Sequence, residues 1–304
     1  MTKPQVFAII LNWNGQNDTL NCLKSLAKAD TTGVFLSVIV VDNNSTDGSV
    51  RQVSKLFPSV FLLPQQSNLG FSGGINRGIR YALKNGADYI WILNNDTVVD
   101  RRSLDFLTVF KDPEVGAVGS KIYFSPGHEY HFNRYNNSER GKVIWYAGGI
   151  IDWQNMYASH RGVDEVDHGQ YETTGDTQFI TGCSFAVRAG VVRQIGYFDE
   201  RYYLYLEDVD YSLRIQRAGF RTAYCPQSVI WHLNAVSSGK PGNRLHEYYF
   251  TRNRMLLGFN YAPVRTKFAL IREAGRILLG KSALRRKAII DAILGKFGRQ
   301  YEPE

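Results

Sequence analysis

The stretch YIWILNNDTVVD runs from Tyr89 to Asp100 and is the most informative part of the chain for its fold. Its first five residues are aromatic or aliphatic at both alternating sets of positions, which is typical of a strand covered on both faces of its sheet. Asn94, Asn95 and Asp96 follow at once. Because ligands of parallel α/β sheets bind beyond the carboxyl ends of the strands, this abrupt change predicts a covered sheet with a polar binding edge.

Similar apolar runs come earlier in the chain, and amphipathic stretches with helical spacing separate them. The runs are VFAIILNW, LSVIVVDN and VFLLPQ, and the stretches between them include DTLNCLKSLAKA, GSVRQVSKLF and GGINRGIRYALKNG. This alternation predicts an α/β fold with a mostly parallel sheet covered by helices. Polar clusters follow the predicted strands at residues 12–15, 42–48, 65–74 and 94–96. Since parallel strands end at the same edge, we expect the clusters to converge.

The second half of the chain is less regular. We expect hairpins and loops from about residue 125 to residue 175. A helix is predicted in EDVDYSLRIQRAGF and a strand in TAYCPQSVIWH, and the chain after Asn243 has helical spacing.

The basic residues are concentrated near the C-terminus. The chain has a formal net charge of +8, and the segment from Arg265 to Arg299, with ten basic and two acidic residues, carries all of this excess. Its apolar runs FALI, ILLG and AIIDAIL make the composition typical of an amphipathic helix at a membrane surface. A helix pair that packs on the preceding domain or on a second subunit is the alternative. Nucleic-acid binding is disfavoured, because no recognition module accompanies the charge.

The cysteines indicate a reducing compartment. Cys22, Cys183 and Cys225 lie far apart without CxxC spacing, so neither a disulfide framework nor a zinc knuckle is predicted. The run VFAIIL is too short for a signal sequence, and no run approaches about 18 apolar residues. We expect a cytoplasmic chain that neither spans a membrane nor is exported through one by its own signal.

Two polar loops at the predicted edge suit a nucleotide. In VVDNNSTDGS, the carboxylate of Asp42 at the strand end can accept hydrogen bonds from a base or ribose, and amides in the turn can face a diphosphate. An ordinary turn capped by Ser45 or Asp47 is the alternative. In NLGFSGGINRGIRYAL, glycines permit close backbone approach and Arg77 offers charge to a phosphate, with tight packing alone as the alternative. The absence of GxGxxG after the first strand argues against a dehydrogenase.

Two acidic motifs suit metal binding and proton transfer. The single acid of NNDT, Asp96, could suffice for Mg²⁺ or Mn²⁺ when a diphosphate supplies other oxygens, although a turn or cap is the default for this residue in isolation. Glu207, Asp208 and Asp210 stand at the front of a predicted helix, where acids favour the helix dipole or, in a semi-enclosed pocket, provide a general base. His232 ends a predicted strand.

Taken in this order, the motifs resemble those of the inverting family 2 glycosyltransferases of the GT-A fold, especially the bacterial rhamnosyltransferase and galactofuranosyltransferase-like group. The resemblance extends from about residue 6 to residue 257. It implies that Asp42 contacts the nucleobase and that Asp47 lies in the nucleotide loop. Asp96 matches the last acid of the DxD motif, the metal ligand, and Asn94 replaces the first acid. His232 matches a histidine that completes the metal shell.

The resemblance also implies the roles of the remaining site residues. Asp208 matches the catalytic base, and Glu207 is expected to orient this base or the acceptor. Arg252 and Arg254 would add positive charge near the pyrophosphate unless they are solvated or membrane-facing. The full expected donor-binding set is Asn12, Asn14, Asp42, Asn44, Asp47, Gly70, Gly74, Arg77, Asn95 and Asp96.

The implied protein is a metal-dependent sugar transferase, with Mg²⁺ or Mn²⁺ as cofactor. We expect a catalytic domain at residues 1–260, comprising a nucleotide-sugar half (1–124) and an acceptor and catalytic half (125–260), and a basic helical tail at 261–304. The donor is expected to be a dTDP- or UDP-sugar, with dTDP-L-rhamnose as the best guess, and the acceptor is a cell-surface polysaccharide or a lipid-linked glycan. The tail is expected to contact the inner face of the plasma membrane.

Two rival functions remain at the level of sequence. A sugar-nucleotide nucleotidyltransferase has a related sheet, but it should carry a basic, glycine-rich signature directly after the first strand, and LNWNGQNDTL has none. A noncatalytic glycan-binding scaffold of the same fold is the second rival. The presence of Asp96, Asp208 and His232 argues against the scaffold.

Overall fold

The computed structural model of the chain describes residues 3–233 and 243–302. The strands are β1 (Gln5–Asn12), β2 (Phe35–Asp42), β3 (Phe61–Pro64), β4 (Tyr89–Asn94), β5 (Thr97–Val99), β6 (Val115–Phe124), β7 (Ile144–Tyr146), β8 (Gly149–Asp152), β9 (Tyr157–His160), β10 (Gly175–Asp176), β11 (Ser184–Arg188) and β12 (Arg221–His232). The α-helices are α1 (Gln16–Leu26), α2 (Ser49–Leu56), α3 (Gly70–Lys84), α4 (Ala189–Ile195), α5 (Glu207–Arg217), α6 (Arg244–Tyr261), α7 (Val264–Leu279) and α8 (Ala283–Ile293). A 3₁₀ helix spans Ser103–Lys111 and a shorter one spans Phe132–Arg134.

One large sheet carries the polar edge predicted from the sequence. Its strand order is β10-β12-β6-β11-β4-β1-β2-β3, with β5 added to β12 and β7 added to β6. The strands β1 to β4 are all parallel to one another, so their carboxyl ends lie at one edge as the sequence predicted. β11 runs antiparallel between β4 and β6. The expected halves, residues 1–124 and 125–260, therefore meet within a single sheet.

Both faces of the sheet are covered because its central strands are apolar on both sides. Ile90 and Ile92 of β4 pack into one cluster with Ile79 of α3. Trp91, which points to the opposite face, packs into a second cluster with Leu23 of α1. Burying an aliphatic side chain of this size contributes about 2 kcal/mol to folding. The mostly parallel, helix-covered sheet expected from the sequence is confirmed.

The irregular middle of the chain forms loops and a hairpin, as expected. β8 and β9 pair antiparallel as a separate two-stranded sheet. The loop that follows is tied back to β6 by the buried Lys121, whose Nζ donates to Asp167 Oδ2 at 2.8 Å and also contacts Glu172.

The basic tail packs on the domain through one side. α8 lies on α6, where Tyr248 Oη donates to Asp291 Oδ2 at 2.5 Å. α7 is joined to α6 by the bidentate pair between Arg254 and Glu273, at 2.7 and 2.9 Å. Packing on the domain, one of the two alternatives for this segment, therefore holds for its inner side. Among the described helices, none is long and apolar enough to cross a bilayer.

Candidate active site

A cavity of about 820 Å³ opens at the carboxyl edge of the parallel strands. Its size is within the range of small-molecule sites. Six of the predicted site residues line it: Gly70, Asn95, Asp96, Glu207, Asp208 and His232. In the described part of the chain, its lining does not include the predicted residues Asn12, Asn14, Asp42, Asn44, Asp47, Gly74 and Arg77.

Strand pairing brings Asp96 and His232 together. β5 pairs antiparallel with β12, and Thr97 lies opposite His232. The backbone N–H of Leu233 donates to the carbonyl of Asp96 at 2.8 Å. As a result Asp96 Oδ2 and His232 Nε2 lie 3.2 Å apart, and the two residues are only 5% and 6% exposed.

This corner fits a divalent cation that is bound together with a diphosphate. A carboxylate oxygen and an imidazole nitrogen are ligands that Mn²⁺ accepts, and Mg²⁺ binds one or two carboxylates with substrate phosphates. The described residues contain no group of three or more His, Cys, Asp or Glu side chains that could hold a metal. Asn94 also lines the cavity, where it offers a neutral amide in place of a first acid. Phosphate oxygens and water would have to complete the coordination shell.

The acidic pair sits on the first turn of α5. Asp208 Oδ2 accepts from the backbone N–H of Gly182 and Oδ1 accepts from that of Val209, each at 2.8 Å. The carbonyl of Cys183, the next residue, accepts from the N–H of Asn94 at 3.0 Å. The loop before β11 thus connects the carboxylate of Asp208 to the end of β4.

Glu207 and Asp208 are both buried, but their pKa values are raised to different extents. It raises the pKa of Asp208, an effect that the two backbone N–H groups oppose. The pKa of Glu207 is raised well above its usual range by burial and by the neighbouring charge of Asp208. Among the described residues, Glu207 Oε2 has no hydrogen-bond partner. These shifts order the two acids, since Glu207 holds its proton more strongly than Asp208, and the assignment of Asp208 as a general base stays a prediction.

A strained turn delivers this pair to the cavity. Tyr203, Tyr205 and Leu206 have φ values of 62°, 70° and 70°, in the left-handed region that non-glycine residues rarely adopt. Each such residue costs about 1 kcal/mol or more. Gly70, at the start of α3, lies against this turn, since a Cβ there would be 2.4 Å from the ring of Tyr203. We call the side of the cavity formed by Gly70, Trp13 and Asn43 the donor side, after the role predicted for it. The glycine therefore permits the contact between the donor side of the cavity and the turn.

Asn12 and Asp42 hold the strand-end loops together behind the cavity. Asn12 Nδ2 donates to Asp42 Oδ1 at 2.7 Å, and Asn12 Oδ1 accepts from Thr19 Oγ1 at 2.7 Å. Asp42 Oδ2 accepts from the N–H of Ser45 at 2.9 Å. Asn95 joins this group by donating to Thr19 Oγ1 at 3.1 Å. These bonds give the residues a clear role in ordering the edge, and direct contact with a donor stays a prediction.

The other predicted donor residues occupy surface turns or packing positions. Asn14, Asn44 and Asp47 are exposed; Asn14 and Asp47 accept hydrogen bonds from nearby backbone N–H groups, and Asn44 has a φ of 66°. Arg77 lies exposed on α3. A Cβ at Gly74 would be 2.3 Å from Leu11 Cδ1, so this glycine lets α3 approach β1. Close packing, the alternative for the glycine-rich stretch, thus accounts for Gly74.

Several lining residues were missed by sequence reasoning. Trp13 and Asn43 line the donor side of the cavity and directly follow β1 and β2, so the rule of strand ends could have found them. Trp145 and His160 line the other side and come from the irregular middle region, which has no comparable signal. The Trp145 ring lies between the imidazoles of His232 and His160, with centroids 4.5 and 4.3 Å away.

His160 is a neutral part of the wall. Burial lowers its pKa to about 4. Its Nδ1 lies 3.0 Å from the carbonyl oxygen of Trp145. Because a carbonyl only accepts, Nδ1 carries the proton, and Nε2 is left as a hydrogen-bond acceptor.

Arg252 and Arg254 use their guanidinium groups inside the protein. Arg252 is fully buried and donates to the backbone carbonyls of Arg201, Tyr202 and Gly298. Arg254 binds Glu273 and the carbonyl of Asn155. Neither arginine is solvated, and the structure gives both a structural role in place of the expected charge near a pyrophosphate.

Comparisons with known proteins agree with this geometry. The family described as Glycosyltransferase like family 2 matches residues 4–255. An N-acetylglucosaminyl-diphospho-decaprenol L-rhamnosyltransferase of Mycobacterium tuberculosis (strain CDC 1551 / Oshkosh) is 29% identical over 83% of this chain and 85% of its own. The galactofuranosyltransferase GlfT1 of Mycolicibacterium smegmatis (strain ATCC 700084 / mc(2)155) is 26% identical over 70% of this chain and 67% of its own. Among solved structures, the mannosyltransferase PcManGT of Pyrobaculum calidifontis, in complex with GDP-Man and Mn²⁺, superposes with a TM-score of 0.55 and 18% identity, covering 97% of this chain and 74% of that protein.

Proposed function

Since the chain belongs to glycosyltransferase family 2 and has the GT-A fold, we propose that it is an inverting enzyme that moves a sugar from a nucleoside diphosphate to an acceptor hydroxyl. The family and the fold expected from the sequence are confirmed. The observation that carries the proposal is the convergence on one cavity of the Asp96–His232 corner and the Glu207–Asp208 pair.

The geometry suits a single displacement. Asp208, ionised beside a protonated Glu207, accepts the proton of the acceptor hydroxyl while that oxygen bonds to the anomeric carbon of the donor. The bond from the anomeric carbon to the diphosphate breaks at the same time, so the configuration inverts and the nucleoside diphosphate leaves. A divalent cation held by Asp96 and His232 would stabilise the negative charge on the leaving group.

The leading candidate for the donor is dTDP-L-rhamnose. The resemblance implies it, and the mycobacterial relative named above as an L-rhamnosyltransferase supports the sugar. The same relative is named for a decaprenol-linked substrate, which supports a lipid-linked glycan or a growing cell-surface polysaccharide as acceptor.

The outward side of α7 supports contact with a membrane surface. Four apolar side chains of α7 are each more than half exposed: Val264, Phe268, Ile271 and Leu279. Because they follow one another at intervals of four, three and eight residues, they lie along one side of the helix. We call this side, together with the exposed Arg265, Arg272 and Arg276 beside it, the outer face of α7. Exposed apolar side chains flanked by cations suit an anionic lipid surface. We place the enzyme in the cytoplasm, at the inner face of the plasma membrane.

The donor is tested first by thermal unfolding with dTDP, UDP, GDP and NAD, each with and without Mn²⁺. A ligand at 100 times its dissociation constant adds about 2.7 kcal/mol to the free energy of unfolding. We expect one nucleoside diphosphate, dTDP, to raise the melting temperature only when Mn²⁺ is present. In Asp96→Ala, dTDP with Mn²⁺ should no longer raise the melting temperature more than dTDP alone.

Two other outcomes would change the proposal. Stabilisation by UDP or GDP would keep the glycosyltransferase and replace the donor. No response to any nucleotide would favour the noncatalytic scaffold.

A further inference from the structure

Side chains of α6 bind the turn that precedes the acidic pair. Asn253 of α6 is fully buried, and its Nδ2 lies 2.8 to 2.9 Å from three backbone carbonyl oxygens of the turn, those of Tyr202, Leu204 and Tyr205. These carbonyls span the segment with left-handed residues. This one side chain therefore binds the backbone at three positions directly before Glu207.

Arg252 completes the arrangement and orients the amide. Its Nη2 donates to the carbonyls of Arg201 and Tyr202, each at 2.9 Å. Its Nε donates to Asn253 Oδ1 at 3.0 Å, so Nδ2 of that amide must face the turn. Nη1 reaches the carbonyl of Gly298, beyond α8, at 2.6 Å.

The donor side of the cavity meets the same turn but is held independently. The N–H of Phe71 donates to the carbonyl of Tyr203 at 2.7 Å. Gly70 has its own supports, since its carbonyl accepts from Asn43 Nδ2 and its N–H donates to Asn68 Oδ1, each at 2.9 Å. Loosening the turn would therefore displace the acids on α5 more than the loop at the start of α3.

We propose that Arg252 and Asn253 are positioning residues that hold the strained turn at Arg201–Leu206 and so place Asp208 for proton transfer. This inference rests on the proposed function. The turn has three left-handed non-glycine residues, and its carbonyls at Tyr202, Leu204 and Tyr205 would each lose a hydrogen bond if the amide were absent. We call Arg252 and Asn253 together the clamp. The clamp thus selects a backbone conformation that the turn would not keep without these two side chains.

The test compares Asn253→Ala and the milder Asn253→Ser, which keeps one donor, with Glu247→Ala. The control removes a hydrogen bond of the same helix, the one that Glu247 accepts from Ser282 at the start of α8, and leaves Arg252 and Asn253 in place. Circular dichroism identifies the variants that fold. If Asn253→Ala does not fold, the test is made with Asn253→Ser. Hydrogen–deuterium exchange is followed at the amides of Phe71 and Asp210, which bond to the carbonyls of Tyr203 and Leu206.

We expect faster exchange at both amides in the Asn253 variants but not in the control. Misplacing a reacting group by about 1 Å costs about 100-fold in rate, so kcat should fall by about that factor for Asn253→Ala, with donor affinity within threefold. Unchanged exchange in the Asn253 variants overturns the clamp, and this test does not require that the wild-type chain transfers sugar. A wild-type chain that transfers no sugar would refute the proposed function separately. Faster exchange with an unchanged kcat, or an equal loss of kcat in Glu247→Ala, overturns the positioning role.

Discussion

The polar edge of the sheet, where the candidate active site lies, and the outer face of α7 depart in opposite ways from the usual distribution of residues. At the edge, the carboxyl groups of Asp96 and Glu207 are buried. On α7, Phe268 and Leu279 are 64% and 92% exposed. Buried acids and exposed apolar stripes both cost free energy unless a ligand or surface uses them. The edge depends on contacts between distant segments, whereas the outer face depends on one helix.

The largest effect should come from Asp208→Asn, which removes the base and retains the shape of the side chain. A positioned general base contributes about 100- to 10,000-fold, so we expect transfer to fall by about 1,000-fold with nucleotide binding retained. The measurement is kcat for sugar transfer together with donor affinity. Glu114→Gln, which makes the same change of charge at an exposed site, is the control and should retain full activity. A fully active Asp208→Asn would show that the edge is not built around this base.

The next effect concerns pH and follows from the same burial. Transfer requires the ionised form of Asp208, and burial raises the pKa of this carboxyl. As pH falls below that raised pKa, kcat/KM should drop about tenfold for each pH unit. The acidic limb should therefore lie above the range of an exposed aspartate, about 3.9. A profile that stays flat down to that value would contradict a buried base.

The smallest effect is expected on the outer face of α7. Replacing Phe268 and Ile271 by serine should leave transfer to a soluble acceptor unchanged, because both side chains are exposed. Binding to vesicles of phosphatidylglycerol and phosphatidylethanolamine should fall several-fold, and so should transfer to a lipid-linked acceptor. Leu56→Ser, at an exposed apolar site on α2, is the matched control. If the wild type, the double serine variant and Leu56→Ser bind vesicles equally, α7 only packs on the domain and does not bind the membrane.

Removing Arg272 and Arg276 separates charge from apolar contact in that experiment. A cation near an anionic surface contributes about 1 kcal/mol, so each loss should weaken vesicle binding about fivefold at low salt. The same substitutions should have no effect on neutral vesicles.

Local sequence patterns were enough to predict the helix-covered parallel sheet and to identify the acidic motifs that reach the cavity. The apolar runs of β1 to β4 predicted buried parallel strands, because a strand covered on both faces needs apolar residues at every position. The convergence of the strand ends followed from that parallel arrangement. The helical spacing of residues after Asn243 likewise predicted α6 to α8, since a period near 3.6 is local to one helix.

Partners far apart in the chain could not be predicted in this way. The pairing of β5 with β12 sets Asp96 against His232, and two short strands without a sequence signal, β7 and β9, bring Trp145 and His160 to the opposite wall. The buried positions of Asn12 and Arg252 also appear only when separate loops meet. Residue periodicity reports the burial of each element alone, whereas the site depends on the register and packing between elements, which no local pattern encodes.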